Sequence, residues 1–141
     1  MKIKGAAVAG MFALLWMAVI FSFSAQEKEE SSAVSEAFSY RVISSSRFFL
    51  RLDIDEEDLK QIAAAIEKGV RKAAHMTEFG ILSILFYLWL GGRQFRPVNR
   101  ALLSVFLAVL YAASDEIHQR FVPGRAGTLG DVMIDSTGAL L

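Results

Sequence analysis

At 141 residues the chain is long enough for one domain, and 54% hydrophobic residues with a mean hydropathy of +0.40, gathered in blocks, favour an integral membrane protein over a soluble one. Fifteen basic residues balance fifteen acidic ones, so neither a global field nor a basic tract points to nucleic acid. There is no cysteine, which excludes disulfides, thiolate metal sites and cysteine nucleophiles.

Gly5 to Phe23 runs for nineteen residues without a charge, behind Lys2 and Lys4, and is the first predicted span. Ser22-Phe23-Ser24 could serve as a signal-peptide cleavage site, but the stretch is long for an h-region and more apolar segments follow, so a retained helix is expected. Gln26 to Arg51 is polar and serine-rich and reads as a loop with short local structure. Within it Glu27 to Glu30 is a solvated charge run, and Phe38 and Phe48-Phe49-Leu50 are placed to dip into the membrane interface.

Asp55-Glu56-Glu57-Asp58 is a strong helix opening, because acidic side chains suit the positive end of the helix dipole and an Asp can cap free amides. Leu59, Ile62, Ala63, Ile66 and Val70 follow at helical spacing, which predicts an amphipathic helix lying on the membrane or packed on the bundle. It meets no breaker through Arg71-Lys72 and passes into the second span, Ala73 to Leu90, which holds His75 and Glu78 in its first turns. Gly91-Gly92 ends that span, and a basic loop with Arg93, Arg96, Pro97 and Arg100 follows.

The third span begins at Ala101. Its uncharged part ends at Ser114 after fourteen residues, whereas a span needs about 20. The helix is therefore expected to continue to Gln119, which places Asp115, Glu116 and His118 at the edge of the hydrocarbon, where ionisable groups are costly and mark function by default. Pro123-Gly124-Arg125 closes this block, and a fourth helix is expected from Thr128 or Asp131.

The positive-inside rule sets the orientation. Lys2 and Lys4 and the Arg93–Arg100 loop lie two crossings apart and agree on a cytoplasmic N-terminus. The long first loop, 24–72, carries eight basic and ten acidic residues and counts less. In this topology the unusual polar residues gather toward one outward face: Ser24 and Gln26 end span one there, Lys72, His75 and Glu78 open span two, Asp115 to Arg125 ends span three, and Asp131 and Asp135 open span four.

Lys72, His75 and Glu78 stand three apart and share a helix face. Asp115 lies i,i+3 from His118 and i,i+4 from Gln119. Asp131 and Asp135 are i,i+4, with Gly138 beyond. Each residue also has a plain structural reading: Glu78 pairs with Lys72 or an arginine, His75 bonds between helices, Asp131 caps the fourth helix, Arg120 snorkels, and Trp16, Tyr87 and Trp89 face lipid. Acid–base work by His75, Glu78, Asp115, Glu116 and His118 needs burial to separate their pKa values. Arg125 is a fork for a carboxylate or phosphate, with Lys72 beside it. His75, His118 and the acids could bind a metal, but no HExxH or similarly specific spacing is present, and no metal is expected; there is no P-loop or G-x-S-x-G pattern, and no cofactor is expected. A proton relay for transport would have little room in four short spans.

Phe23-Ser24-Ala25-Gln26, Arg71 to Phe79, the block Asp115-Glu116-Ile117-His118-Gln119-Arg120-Phe121-Val122-Pro123-Gly124-Arg125, and Asp131 to Gly138 together resemble the VanZ-like family, in order and over nearly the whole chain. The resemblance implies a small bacterial cell-envelope protein with about four spans. The family takes its name from a member linked to resistance to the glycopeptide teicoplanin. The resemblance carries no defined reaction. By position, the family's characteristic polar residues are Ser24, Gln26, Lys72, His75, Glu78, Asp115, Glu116, His118, Gln119, Arg125, Asp131 and Asp135. From Thr128 to Leu141 fourteen residues give about 21 Å of helix, short of a span, whereas the family's last helix normally continues.

These readings give an all-α integral membrane bundle, 1–141, with spans near 5–23, 73–90, 101–119 and 128–141 and an amphipathic helix before the second. The first functional expectation is binding of a lipid-linked cell-wall precursor or a lipoglycopeptide at the outer leaflet, with Ser24, Gln26, Lys72, Gln119, Arg125, Asp131 and Asp135 at the ligand. A membrane enzyme using His75, Glu78, Asp115, Glu116 or His118 is the alternative, and a proton-coupled transporter the third reading. Membrane lipids are expected partners, and an oligomer is open.

Overall fold

The computed structural model describes residues 3–51 and 53–140; the Lys2 anchor and the Leu141 end of the expected fourth span lie outside them. The described residues form five helices and no strand: α1 (Ile3–Ser24), α2 (Lys28–Leu50), α3 (Glu56–Leu90), α4 (Pro97–Gln119) and α5 (Leu129–Leu140). α1, α3 and α4 contain stretches long and apolar enough to cross a membrane. The expected fourth span is the 12-residue α5, about 18 Å long and packed on α3 and α4. The described residues thus form an all-helical bundle with three full-length candidate spans, α2 outside them and the short α5.

α3 touches every other helix. Asp55 caps it, its side chain accepting from the Asp58 N–H at 2.8 Å, and Glu56, Glu57 and Asp58 fill the first turn. No proline interrupts its 35 residues, about 52 Å of helix against a hydrocarbon layer of about 30 Å. The amphipathic helix and the second span are therefore one element, and its first half stands beyond the apolar part.

That first half pairs with α2, where the sequence reading expected a loop. No Gly or Pro lies between Gln26 and Asp53, and serine is only a mild helix breaker. Ser35, Ser39, Ser45 and Ser46 donate their hydroxyls to carbonyls one turn back, at 2.8–3.0 Å, so they compete little with the helix. Ser31 and Ser39 of α2 and Leu59 and Ala63 of α3 are buried where the two helices pack. Arg51 ends α2 in the left-handed region, φ 51°, with its N–H on the Arg47 carbonyl. α4 starts at Pro97, earlier than expected, because proline lacks only an N–H that the first turn leaves free anyway.

The core joins Ala13 and Ile20 of α1, Phe79, Leu82 and Phe86 of α3, Ala108 and Ala112 of α4, and Ala139 of α5. Trp16, expected at the lipid face, turns inward and donates to the Glu78 carbonyl at 2.9 Å; Tyr111 donates to the Met17 carbonyl at 2.7 Å. Trp89 and Tyr87 carry Arg93 and Arg100 over their rings, at 4.6 Å and 3.8 Å. α5 crosses α3 without side chains between them: a Cβ on Gly138 would overlap the Met76 backbone, and one on Gly80 would stand 3.0 Å from the Gly138 carbonyl.

Candidate functional site

The C-termini of α1 and α4, the start of α5 and the middle of α3 meet at one end of the bundle. Ser24, on the last turn of α1, donates to Asp115 Oδ2 at 2.6 Å. Gln119, one turn further along α4, donates from Nε2 to the same oxygen at 2.8 Å and to Glu116 Oε1 at 3.2 Å. Ser24, Asp115, Glu116 and Gln119 are all buried. A neutral amide and a hydroxyl thus spread the charge of two adjacent carboxylates that helix geometry points inward.

The loop after α4 returns to this cluster. Gly124 takes φ +73°, a conformation glycine adopts freely, and turns Arg125 back toward α1. Arg125 donates from Nε to the Gln26 carbonyl at 2.9 Å, from Nη2 to the Phe23 carbonyl at 3.1 Å and from Nη1 to Gln119 Oε1 at 3.2 Å. It adds a charged donor to carbonyls at and just past the end of α1, where intrahelical partners run out. Burial, reinforced by Arg71, lowers its pKa, while Asp115 and Glu116 oppose that shift. The expected free fork is thus a staple between α1 and α4. Gln26 joins it through its backbone carbonyl, where its side chain was expected.

Glu116 Oε2 accepts the Thr128 N–H at 3.0 Å. Arg120, expected to snorkel, donates to the Gly127 carbonyl at 3.1 Å and fastens the same loop. Gly127 lies so close to the Glu116 carbonyl that a Cβ would overlap it. Thr128, rather than Asp131, caps α5: its Oγ1 accepts from the Asp131 N–H at 3.1 Å and donates to Asp131 Oδ2 at 2.7 Å. Asp131 Oδ1 pairs with Lys72 at 3.2 Å. Glu78 therefore loses Lys72 as its expected partner and pairs with His75, Nδ1 to Oε2 at 3.3 Å, too far off line to count as a hydrogen bond.

A cavity of about 260 Å³ opens among these groups. Of the sequence-predicted residues, Lys72, His75, Glu116, Gln119, Arg125, Asp131 and Asp135 line it. Ser24, Gln26, Glu78 and Asp115 stand behind that lining as supports. His118 is not brought to the cavity: its ring stacks on Phe21 at 4.4 Å, and its Nε2 is buried without a partner.

Two lining cations were missed, Lys28 and Arg71. Arg71 lies one turn before His75 on α3, so helical spacing alone could have found it. It pairs with Glu67 at 3.0 Å and donates to Ser32 at 2.8 Å. Lys28 opens α2, and nothing in the sequence signals its return to the site; the Lys28 N–H reaches the Pro123 carbonyl at 3.5 Å. Lys28, Arg71, Lys72 and Arg125 thus face Glu116, Asp131 and Asp135 across one cavity. Among the described residues no three acidic or histidine side chains converge to hold a metal ion.

The family model described as VanZ/LLP1 matches residues 10–141, which takes in every group of this site. The chain belongs to the VanZ/LLP1 family. No curated protein and no solved structure matches the chain.

Proposed function

We propose that this VanZ-family membrane protein binds the anionic group of a lipid-linked or lipophilic ligand at the outer leaflet. The observation that carries the reading is the convergence of Lys28, Arg71, Lys72 and Arg125 on one cavity at the polar end of an apolar bundle. Lys4 at the start of α1 and Arg93, Arg96 and Arg100 near the opposite end support a cytoplasmic N-terminus, which turns the cavity outward. A phosphate or diphosphate suits it, because compact anions take several charge-assisted hydrogen bonds at once. In a cell, the expected result is protection of a wall precursor, or capture of a teicoplanin-type glycopeptide.

The test uses the full chain in lipid nanodiscs with a polyprenyl diphosphate and, as neutral control, the matching polyprenol. The diphosphate should bind and the polyprenol should not. Arg71→Ala should weaken binding about 10- to 100-fold, the worth of one hydrogen bond to a charged group. Equal binding of both lipids would sink the proposal.

One observation favours turnover as a second reading. His75 faces the cavity with Glu78 behind its Nδ1. A small rotation of Glu78 would bring its carboxylate into line with Nδ1, where it orients an imidazole and supports it as a base. A new product in the mass spectrum of the incubated lipid, lost in His75→Gln with binding retained, would establish it; an unchanged lipid with wild-type protein would exclude it for that ligand.

A further inference from the structure

α2 and the first half of α3 form an antiparallel hairpin, and one of its broad faces is apolar and open. Val34, Phe38 and Val42 repeat every four residues along α2, with Phe49 further on. Phe38 is 58% exposed and Phe49 80%. On α3, Ile62 and Ile66 are exposed at the same spacing, and Gly69 follows with nothing within 4 Å of where a Cβ would stand.

These residues sit one position before those buried between the two helices: Phe38 before Ser39, Ile62 before Ala63, Ile66 before Glu67. One residue turns a helix by about 100°. In an antiparallel pair the same turn carries both stripes to the same side. The other side is polar, with Glu36, Lys60 and the Tyr40–Glu56 hydrogen bond.

α3 decides what can cover the apolar side. It runs unbroken from Glu56 into the candidate span that ends at Leu90. The open face is therefore parallel to a helix that crosses the membrane and cannot lie flat on a lipid surface. We propose that it packs against the same face of a second copy of this chain.

Two copies with the same orientation in one membrane are related by an axis along the membrane normal, hence along the hairpin. Face-to-face packing about that axis sets α2 antiparallel to α3 of the second copy, with heights unchanged. The Tyr40–Glu56 and Ser32–Arg71 hydrogen bonds bracket the register, so Phe38 stands at the height of Ile62 and Val34 at that of Ile66. Phe38 then meets Ile62 of the second copy, and Val34 meets Ile66.

At the Arg51 end the charges agree: Arg41 of α2 stands at the height of Asp58 of α3 in the second copy, each beside its helix's apolar stripe. The notch at Gly69 lets the helices approach closely.

The absence of cysteine makes the test direct. Two full-length copies with different tags, one carrying Phe38→Cys and the other Ile62→Cys, are co-expressed and oxidised in native membranes. A cross-linked species bearing both tags is expected, because a disulfide forms only across Cα separations of about 4.4–6.8 Å. It should be lost when Glu36→Cys and Lys60→Cys, on the polar side, replace them. No mixed-tag species from Phe38 and Ile62, or as much from the polar side, overturns the proposal. In mild detergent, light scattering should give a mass of two chains for the wild type and one for Gly69→Leu, an exposed change that leaves the hairpin's own contacts intact. A wild type of one chain, or a two-chain Gly69→Leu, counts against it. Strong quenching of a fluorophore at position 38 by nitroxide lipids would place the face on lipid and equally overturn it.

Discussion

Replacing Arg125 by lysine should destabilise the fold nearly as much as replacing it by alanine. Arg125 makes three hydrogen bonds from three nitrogens, to the Phe23 and Gln26 carbonyls and to Gln119 Oε1. A hydrogen bond from a charged group contributes about 1.5–3 kcal/mol. Arg125 is only partly buried, so solvent discounts the sum to roughly 2–4 kcal/mol. A lysine ammonium on a flexible stem cannot reproduce a planar fork with three separate targets. Thermal unfolding in detergent, followed by circular dichroism, should show both variants melting roughly 6–12 °C below the wild type, at about 3 °C per kcal/mol. A lysine variant that melts with the wild type would refute the staple, because charge alone would then suffice.

Gly138→Leu should cost several kcal/mol, as its side chain would enter the Met76 backbone; protease cutting near Leu129 should accelerate as α5 leaves α3, and wild-type resistance would refute the tight crossing. Gly130→Cys should react with an impermeant maleimide on intact cells, since position 130 is exposed and its Cβ has room, the nearest atom being Thr128 Oγ1 at 3.5 Å; labelling only after permeabilisation would reverse the orientation. Lys72→Ala should cost less than about 1 kcal/mol in stability, because the pair with Asp131 is exposed, 53% and 34% at the side chains; a larger loss would make that pair structural.

The polar block of α4 was legible because its cost at the membrane edge is written in its composition. Fourteen uncharged residues are too few for a span, so Asp115, Glu116 and Gln119 had to be helical and to find partners. Those partners were legible only by position. Ser24 reaches Asp115 across 91 residues, and no local pattern encodes that distance. The helicity of α2 was hidden because its serines score as loop formers until their hydroxyls are seen on their own helix. His118 was misplaced because i,i+3 spacing from Asp115 gives a shared side of the helix but not which neighbour each ring or carboxylate meets.

The partners of the four cations divide their roles. Arg125 spends three nitrogens on the protein itself, so it secures the loop and adds charge to the cavity more than it grips a ligand. Arg71 and Lys72 each hold one carboxylate, Glu67 and Asp131, which an arriving anion can displace at small cost where the pair is exposed. Lys28 has no ion-pair partner among the described residues. Lys28 and Arg71 both belong to the hairpin end of the site, and Ser32 of α2 holds Arg71 in place. The proposed grip on an anion therefore depends on α2 staying packed against α3. A helix that the sequence disguises as a loop sets the charge of the cavity, and breaking its contact at Ser32 should weaken anion binding without touching the Asp115–Gln119–Arg125 network.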